Sequence, residues 1–325
     1  MIKGRVESVQ ALRAIAALFV VTLHTFGLAR QSGFAAPIPF GDFGVDIFFV
    51  ISGFVMVLTT QRPTHVRTFI GHRLMRVVPL YWILTTLKAV LMLALPALGA
   101  LQFSLSHVIA SYAFVPWYNQ AGAPHPIVYV GWTLTYELWF YLIFALLQFR
   151  VPRVAIACLL LTLLGQIEGP LVWNTLTDPL LLEFVMGMGI ASVFLGKSWW
   201  IPALVACCVL LLPDSRAFFW GLPSAVLVGI CVALEKWWPR TILSAIGDSS
   251  YSLYLTHIFV IPIYFRLATR VPALPSLLVV IGAFVSTIVV GHLTYLLVEK
   301  PLGRTMHKFR KRNDSNPSRT ALTSV

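Results

Sequence analysis

Apolar residues run along this chain in long stretches that do not alternate with polar ones. Windows of about 19 residues, the length of a membrane-spanning helix, predict ten spans. Their approximate limits are 10–28, 43–60, 77–96, 131–149, 153–168, 179–196, 200–213, 217–235, 250–269 and 274–299. A membrane β-barrel would show alternating strands instead. The predicted fold class is therefore all-α, a polytopic transmembrane helical bundle.

One shorter apolar stretch, at about 103–117, includes Ser104, His107 and Pro116. Because it is marginal for crossing a membrane, we expect it to be re-entrant or interfacial. The sequence shows no internal repeat and no linker between domains. We predict one integral membrane domain over 1–300, followed by a basic, disordered cytoplasmic tail over 301–325.

The composition excludes a soluble enzyme, a disordered regulator and a secreted disulfide scaffold. Of 325 residues, 58% are hydrophobic and 11% are charged, against about 25% charged in ordinary soluble domains. The four cysteines lie in apolar runs without metal-ligand spacing, so we interpret them as packing residues and predict no metal site.

The positive charges predict an orientation. The net charge is +12, from 24 Lys and Arg, and we attribute it to the cytoplasmic flanks of the spans rather than to nucleic-acid binding. With the N-terminus inside, 18 of these residues fall on the inner side and two, Arg13 and Lys88, fall within spans. The outer residues are Arg30, Arg216, Arg266 and Arg270. This bias predicts a multi-pass protein with both termini in the cytoplasm, and we expect it in the inner (plasma) membrane.

Ionisable residues inside membrane spans are costly and usually functional. In this chain they are Arg13, His24, Asp46, Lys88, Glu137, Glu183, His257, His292 and Glu299. Arg13 and His24 are eleven residues apart, which at about 100° per residue places both on one helix face, about 16 Å apart. Counted from the predicted ends of their spans, His24, Asp46 and Glu137 lie at the same depth in the membrane, to within one helical turn. They are predicted to form either a general-base centre or a structural ion pair.

Arg73 and Arg76 lie three residues apart in the loop before the third predicted span, on one face of the helix start. Two guanidinium groups aimed together suit phosphates, although ordinary flanking charge explains the spacing as well. Nearby aromatic residues are interpreted as interfacial anchors or packing, or as part of a sugar site. They are Tyr81, Trp82, Trp132, Trp139 and Tyr141.

Six motifs occur in order along the chain. The first is 10–17 with His24, and the second is 44–54. The third joins Arg73, Arg76 and Pro79 with 81–82; the fourth is 131–137 with 140–141. The fifth is 250–257, and the sixth is Tyr295 with 299–301. Together they resemble the membrane-bound acyltransferase-3 family, and within it the exopolysaccharide O-acetylases, over about 9–301.

The resemblance implies transfer of an acyl group, commonly acetyl from acetyl-CoA, to a sugar hydroxyl of an envelope or exported glycan. It implies that His24 is catalytic, that Arg73 and Arg76 hold the donor, and that Glu137 is essential. Arg13 and His24 would form the family's Arg-x10-His motif. The further candidate residues are Tyr136, Trp132, Ser252, His257 and Glu299.

The residues and the resemblance point to the same reaction. The arginines, including Arg13, hold the phosphates of acyl-CoA, which is a substrate and not a bound cofactor. His24, oriented by Asp46 or Glu137, removes the hydroxyl proton; an acyl-histidine intermediate fits equally. Expected partners are the lipid bilayer, a carbohydrate or lipid-linked glycan acceptor and polysaccharide-assembly proteins. The alternative is a transporter of a sugar or lipid intermediate.

Thiol labelling tests the orientation. In a variant without native cysteines, a single cysteine near Thr64 should be shielded from an impermeant thiol reagent in intact cells, because its loop is predicted to be cytoplasmic. A single cysteine near Ala123 should react. The opposite labelling pattern would overturn the orientation, and permeabilised cells provide the control for intrinsic reactivity.

Overall fold

A computed structural model describes residues 6–61, 65–94, 103–119, 121–197, 200–239, 241–271 and 273–306. Every regular element assigned within these ranges is helical. The helices are α1 (Glu7–Gln31), α2 (Gly44–Thr59), α3 (Val66–Ala94), α4 (Leu105–Tyr112), α5 (Trp132–Leu146), α6 (Val151–Leu164), α7 (Leu171–Leu176), α8 (Leu181–Phe194), α9 (Trp200–Leu210), α10 (Leu222–Ala233), α11 (Ile242–Asp248), α12 (Ser250–Ala268) and α13 (Ser276–Thr294). The predicted all-α class is confirmed.

Each predicted span coincides with a helix of the described chain. Five helical stretches there are long and apolar enough to cross a membrane: Glu7–Gln31, Val66–Ala94, Leu171–Phe194, Ser250–Ala268 and Ser276–Met306. Shorter apolar helices are Gly44–Thr59, Val151–Leu164 and Ala217–Ala233. The count of ten crossings and the position of the termini remain predictions.

Two predicted boundaries shift in the structure. Helix α3 begins at Val66, so Arg73 and Arg76 lie inside a helix and not in a loop before it; residues 66–76 contain no proline that would stop the helix earlier. Helical structure also continues from α13 to Met306. Residues 307–325 of the predicted tail, and Thr64, lie outside the described residues.

The stretch predicted to be re-entrant or interfacial contains α4. This helix has eight residues and is therefore about 12 Å long, too short to cross a membrane. Its N-cap is Ser104, whose side chain accepts a hydrogen bond from the His107 backbone N–H. The length of α4 therefore agrees with leaving this stretch out of the ten predicted spans.

Glycines allow α2 and α8 to pack with their backbones close together. A Cβ at Gly53 would overlap the backbone of Phe184, and one at Gly187 would overlap the backbone of Val50. Small residues at such crossings are a common feature of helix packing in membranes. This packing brings the buried acidic residues of the two helices, Asp46 and Glu183, against each other.

Helix α1 contacts α2, α11, α12 and α13. Its buried alanines allow these neighbours to approach, and a Cβ at Gly247 of α11 would overlap the backbone of Gln10. The carboxylate of Glu235 accepts hydrogen bonds from the backbone N–H groups of Glu7 and Ser8, at 2.8 and 2.9 Å. An acidic side chain is favourable at a helix N-terminus, where N–H groups lack partners. These contacts fix the position of α1 against its neighbours.

Candidate active site

The side chain of His24 is held by two neighbours. Its Nδ1 lies 2.9 Å from the carbonyl oxygen of Val20 and 3.2 Å from Nε2 of His257. The Nδ1 of His257 lies 3.3 Å from the carbonyl oxygen of Leu253. Because carbonyl oxygens only accept, this network assigns the proton to Nδ1 of both neutral rings. The Nε2 of His24 then keeps a free lone pair and can act as a base.

Aromatic rings surround the two histidines. The Tyr129 ring meets His24 edge-on at 5.4 Å between centroids, and the His257 ring lies 4.9 Å from His24. Tyr254 follows, 5.9 Å from His257. His257 is fully buried, whereas His24 is partly exposed. His24 is therefore the histidine of the pair that a substrate can reach.

The prediction that Asp46 or Glu137 orients His24 is wrong. Asp46 is fully buried and accepts two hydrogen bonds from Arg216, at 2.9 and 2.7 Å. Glu137 accepts hydrogen bonds from Ser52, at 3.1 Å, and from Tyr141. Counting residues from helix ends gave these carboxylates a common depth, but the tertiary packing supplies each with a nearer partner.

Sequence reasoning misses the role of Arg216, which the charge bias places among the outer loop charges. The Arg216 guanidinium also donates to the backbone oxygen of Asp42, at 2.9 Å. Glu183 is fully buried beside Asp46 and against Gly221. A signal was available: Arg216 and Asp46 were predicted at the same membrane face, where an acidic and a basic residue can pair.

Arg13, Arg73 and Arg76 line one end of a cavity of about 90 Å³. Phe48, Thr133 and Tyr254 line it as well, so the cavity extends between α1, α2, α3, α5 and α12. The remaining lining residues are Val45, Phe49, Ile51, Ser52, Val55, Val77, Leu134, Glu137, Tyr141 and Tyr251. The three arginines that the sequence singled out therefore meet at one cavity.

Arg73 is fixed in place by its neighbours. Its Nη2 donates to Thr59 Oγ1 at 2.6 Å, and its guanidinium lies 5.3 Å from the ring centroid of Phe69 and 5.6 Å from that of Tyr141. Its Nε is buried and has no hydrogen-bond partner within the described residues. The guanidinium is therefore rigid and retains an unused donor.

The arginine end of the cavity has excess positive charge. Three arginines interact there with two carboxylates, Glu137 and Glu299. Glu299 also accepts a hydrogen bond from Ser252 Oγ at 2.5 Å. Arg76 is exposed, and it lines a second groove beside this cavity, together with Glu299 and Met306. An anionic ligand would neutralise the remaining charge.

Tyr254 separates the cavity from the two histidines. Its hydroxyl donates to the backbone oxygen of Val130 at 2.9 Å and lies 2.9 Å from Thr133 Oγ1. Its ring lines the cavity on one side and packs against His257 on the other. The cavity thus ends within one aromatic side chain of the histidine pair.

The other candidate residues divide between two places. Ser252 and Glu299 lie at the arginine end, and His257 pairs with His24. Trp132 and Tyr136 lie on α5 at a separate cleft, where the Tyr136 hydroxyl donates to Asp178 at 3.1 Å. The aromatic residues proposed as anchors also divide, since Tyr81 and Tyr141 are buried while Trp82 is exposed.

Comparison with known proteins gives a consistent picture. A family model described as "Acyltransferase domain" matches residues 6–296. The exopolysaccharide production protein ExoZ of Rhizobium meliloti is 34% identical over 290 residues, which cover 81% of this chain and 90% of that protein. Acyltransferase MdmB of Streptomyces mycarofaciens is 24% identical, with 94% of both chains covered.

A third relative matches less of its own length. The peptidoglycan O-acetyltransferase OatA of Listeria monocytogenes is 26% identical over 66% of this chain and 32% of that protein. No solved structure matches the chain.

Substitution of Arg216 tests the ion pair with Asp46. The R216Q variant leaves a buried carboxylate without its cation, so we expect the free energy of unfolding to fall by about 3–5 kcal/mol. The double variant D46N/R216Q should recover part of that loss, because it removes the unpaired charge. Thermal unfolding of the purified protein in detergent measures both effects. The exposed Arg270 provides the matched control, and R216Q as stable as R270Q would contradict the pairing.

Proposed function

The chain belongs to the acyltransferase domain family. From this we propose that it is an integral membrane O-acyltransferase. It would move an acyl group, most simply acetyl, from acyl-CoA to a sugar hydroxyl of an exported or envelope glycan. The observation that carries the proposal is the cavity between the three arginines and Tyr254, with His24 beyond it. Its two ends offer the two chemistries that such a transfer requires.

Acyl-CoA fits the arginine end by charge. The donor carries phosphates at one end of a long, thin pantetheine arm and the thioester at the other. Arginine binds phosphate through two parallel hydrogen bonds, and Arg73 is already held rigid for this contact. Arg13 and His24 lie about 16 Å apart along α1, so an arm that enters among the arginines points its thioester toward His24.

His24 supplies the base in this reaction. Its Nε2 takes the proton from the sugar hydroxyl as that oxygen attacks the thioester carbonyl, so a C–O bond forms. The C–S bond then breaks, and the imidazolium returns the proton to the departing CoA sulfur. During this exchange the Nδ1–H of His24 stays directed at Val20 O and His257 Nε2, which keep the ring in position.

The relatives favour a glycan acceptor. One is named for exopolysaccharide production and another for peptidoglycan O-acetylation. The bias of positive charge predicts that the arginine end faces the cytoplasm, where acyl-CoA is made, in a multi-pass protein of the inner membrane. The acceptor would then reach His24 from the opposite side or from within the bilayer.

A transfer assay tests the proposed function. The purified protein in nanodiscs is incubated with acetyl-CoA and with glycan from a deletion strain, and the glycan mass is followed. We expect H24A and H24Q to lower the rate by about 10²–10⁴, since neither side chain can act as a base. The exposed histidine variant H65Q is the matched control. Equal rates for H24Q and H65Q would remove His24 from the chemistry, and glycan transport without acetyl-CoA turnover would favour a transporter.

Arginine substitutions test the donor site. The variants R73A and R76A should raise the KM for acyl-CoA with little change in the KM for the acceptor, because they remove phosphate ligands. Lysine at either position should restore affinity only in part, since it offers a point charge and no planar fork.

The exposed Arg67 on the same helix does not line the cavity, so R67A is the matched control. A raised acceptor KM with an unchanged donor KM in R73A and R76A would contradict the assignment.

A further inference from the structure

A second cleft, whose mostly apolar wall carries several polar side chains, lies beside α5, apart from the arginine cavity. It has a volume of about 230 Å³. Helix α5, helix α7 and the stretches 115–116 and 124–126 form its walls. The side chains that matter for its chemistry are His125, Trp132, Tyr136, Asn174, Thr175 and Asp178. The space suits one small ring-shaped polar ligand.

The cleft offers hydrogen-bond donors and acceptors together. The Asp178 carboxylate accepts from the Tyr136 hydroxyl, at 3.1 Å, and from the Leu180 backbone N–H, at 2.9 Å, and it keeps free lone pairs. Asn174 Oδ1 accepts from the Gly169 backbone N–H at 3.0 Å, which leaves the amide NH₂ to donate. Such groups in a confined space can satisfy hydroxyls, which both donate and accept.

His125 adds a polar group without a protein partner. Its Nδ1 is buried and makes no hydrogen bond within the described part of the chain. Burial lowers the pKa of His125 below its ordinary value, so at neutral pH the ring is uncharged and can donate from one nitrogen and accept at the other. A buried polar atom without a partner is costly, and a bound ligand that the ring turns to meet would relieve that cost.

Trp132 provides an aromatic surface at the same cleft. It is half-buried and packs edge-on against Tyr136, at 5.8 Å between ring centroids, and against Phe49, at 6.4 Å. An indole ring combines a large apolar face with one N–H donor. A sugar ring is complementary to this combination, because its C–H faces are apolar while its rim carries hydroxyls.

Charge separates this cleft from the arginine cavity. Its charged side chain is the carboxylate of Asp178, and no lysine or arginine is among its lining residues. A phosphate group would be repelled here, so the cleft does not suit the CoA donor. An uncharged sugar ring suits it instead, as hydroxyls donate readily to a carboxylate.

The cleft lies close to the proposed base. The His125 ring lies 6.4 Å from the Tyr129 ring, which lies 5.4 Å from the His24 ring. Trp132 of the cleft also contacts Phe49, which lines the arginine cavity. A glycan held in the cleft therefore needs to extend past only one aromatic side chain to bring a neighbouring hydroxyl to His24.

We propose that this cleft binds one sugar ring of the acceptor glycan and thereby directs a hydroxyl toward His24. The inference rests on the proposed function, since it gives that reaction its acceptor site. Asp178 and Asn174 fix the ring through its hydroxyls, and Trp132 covers one face of it. The ring belongs either to a free glycan or to a lipid-linked one, and both carry the same sugar chemistry.

Binding in the absence of donor tests the cleft. The probes are oligosaccharides from the glycan of the deletion strain and, in a second arm, the glycolipid fraction of that strain in nanodiscs. The Kd of at least one probe should rise about tenfold or more in N174A and D178N, because N174A removes the amide that donates to the sugar and D178N replaces a charged acceptor by a neutral one. The arm that shows this rise identifies the source of the acceptor.

Glu168 provides the matched control for Asp178. It is an exposed carboxylate that does not line the cleft, so E168Q should bind like the wild type. If D178N misfolds, as a thermal unfolding scan would show, N174A still decides, because Asn174 is exposed. The proposal would be overturned if N174A and folded D178N bound both kinds of probe with the same Kd as E168Q.

The transfer assay separates this inference from the proposed function. We expect N174A and D178N to raise the KM for the acceptor while the KM for acetyl-CoA is unchanged. Transfer with an unchanged acceptor KM would reject the cleft and leave the acyltransferase proposal intact. If the protein does not turn over acyl-CoA but binds glycan, and N174A weakens that binding, the result would support the cleft and reject the proposed reaction.

Discussion

Charged side chains inside an apolar bundle must find partners, and this constraint shapes the site. Asp46 pairs with Arg216, and Glu137 and Glu299 accept hydrogen bonds from hydroxyl groups. After these pairings, positive charge is left over where Arg13, Arg73 and Arg76 meet. Leaving charge unbalanced in such an environment is costly, so the excess indicates a ligand that brings negative charge.

Helix α1 connects that charge to the proposed base. Arg13 and His24 share a helix face, and the helix is fixed by alanine packing, by the close approach of Gly247 to Gln10 and by the Glu235 cap. In the proposed reaction, a rigid helix would keep the donor phosphates and the reacting carbonyl at a set separation, which is how positioning lowers the barrier of a transfer reaction. The remaining helices supply the walls between the two ends.

The sequence was sufficient for the helices and for the arginine cluster, and insufficient for the pairing of side chains. Long apolar runs define spans whatever their neighbours, so every predicted span matched a helix. The partner of His24 depends on how α1 meets α12, which periodicity does not encode; His257 was recognised as a candidate but not as that partner. Counting residues from the ends of single helices likewise places Glu137 at the membrane depth of His24, whereas the packing of the helices places it among the arginines.

A structure determined with a non-hydrolysable thioether analogue of acetyl-CoA would test the central claim, that one continuous site joins the arginines to His24. The account predicts phosphate density in contact with Arg73 and Arg76 and the sulfur of the analogue near Nε2 of His24, with the Tyr254 ring displaced or lying alongside the arm. Phosphates bound away from the arginines, or a sulfur atom far from His24 while the phosphates are in place, would contradict it.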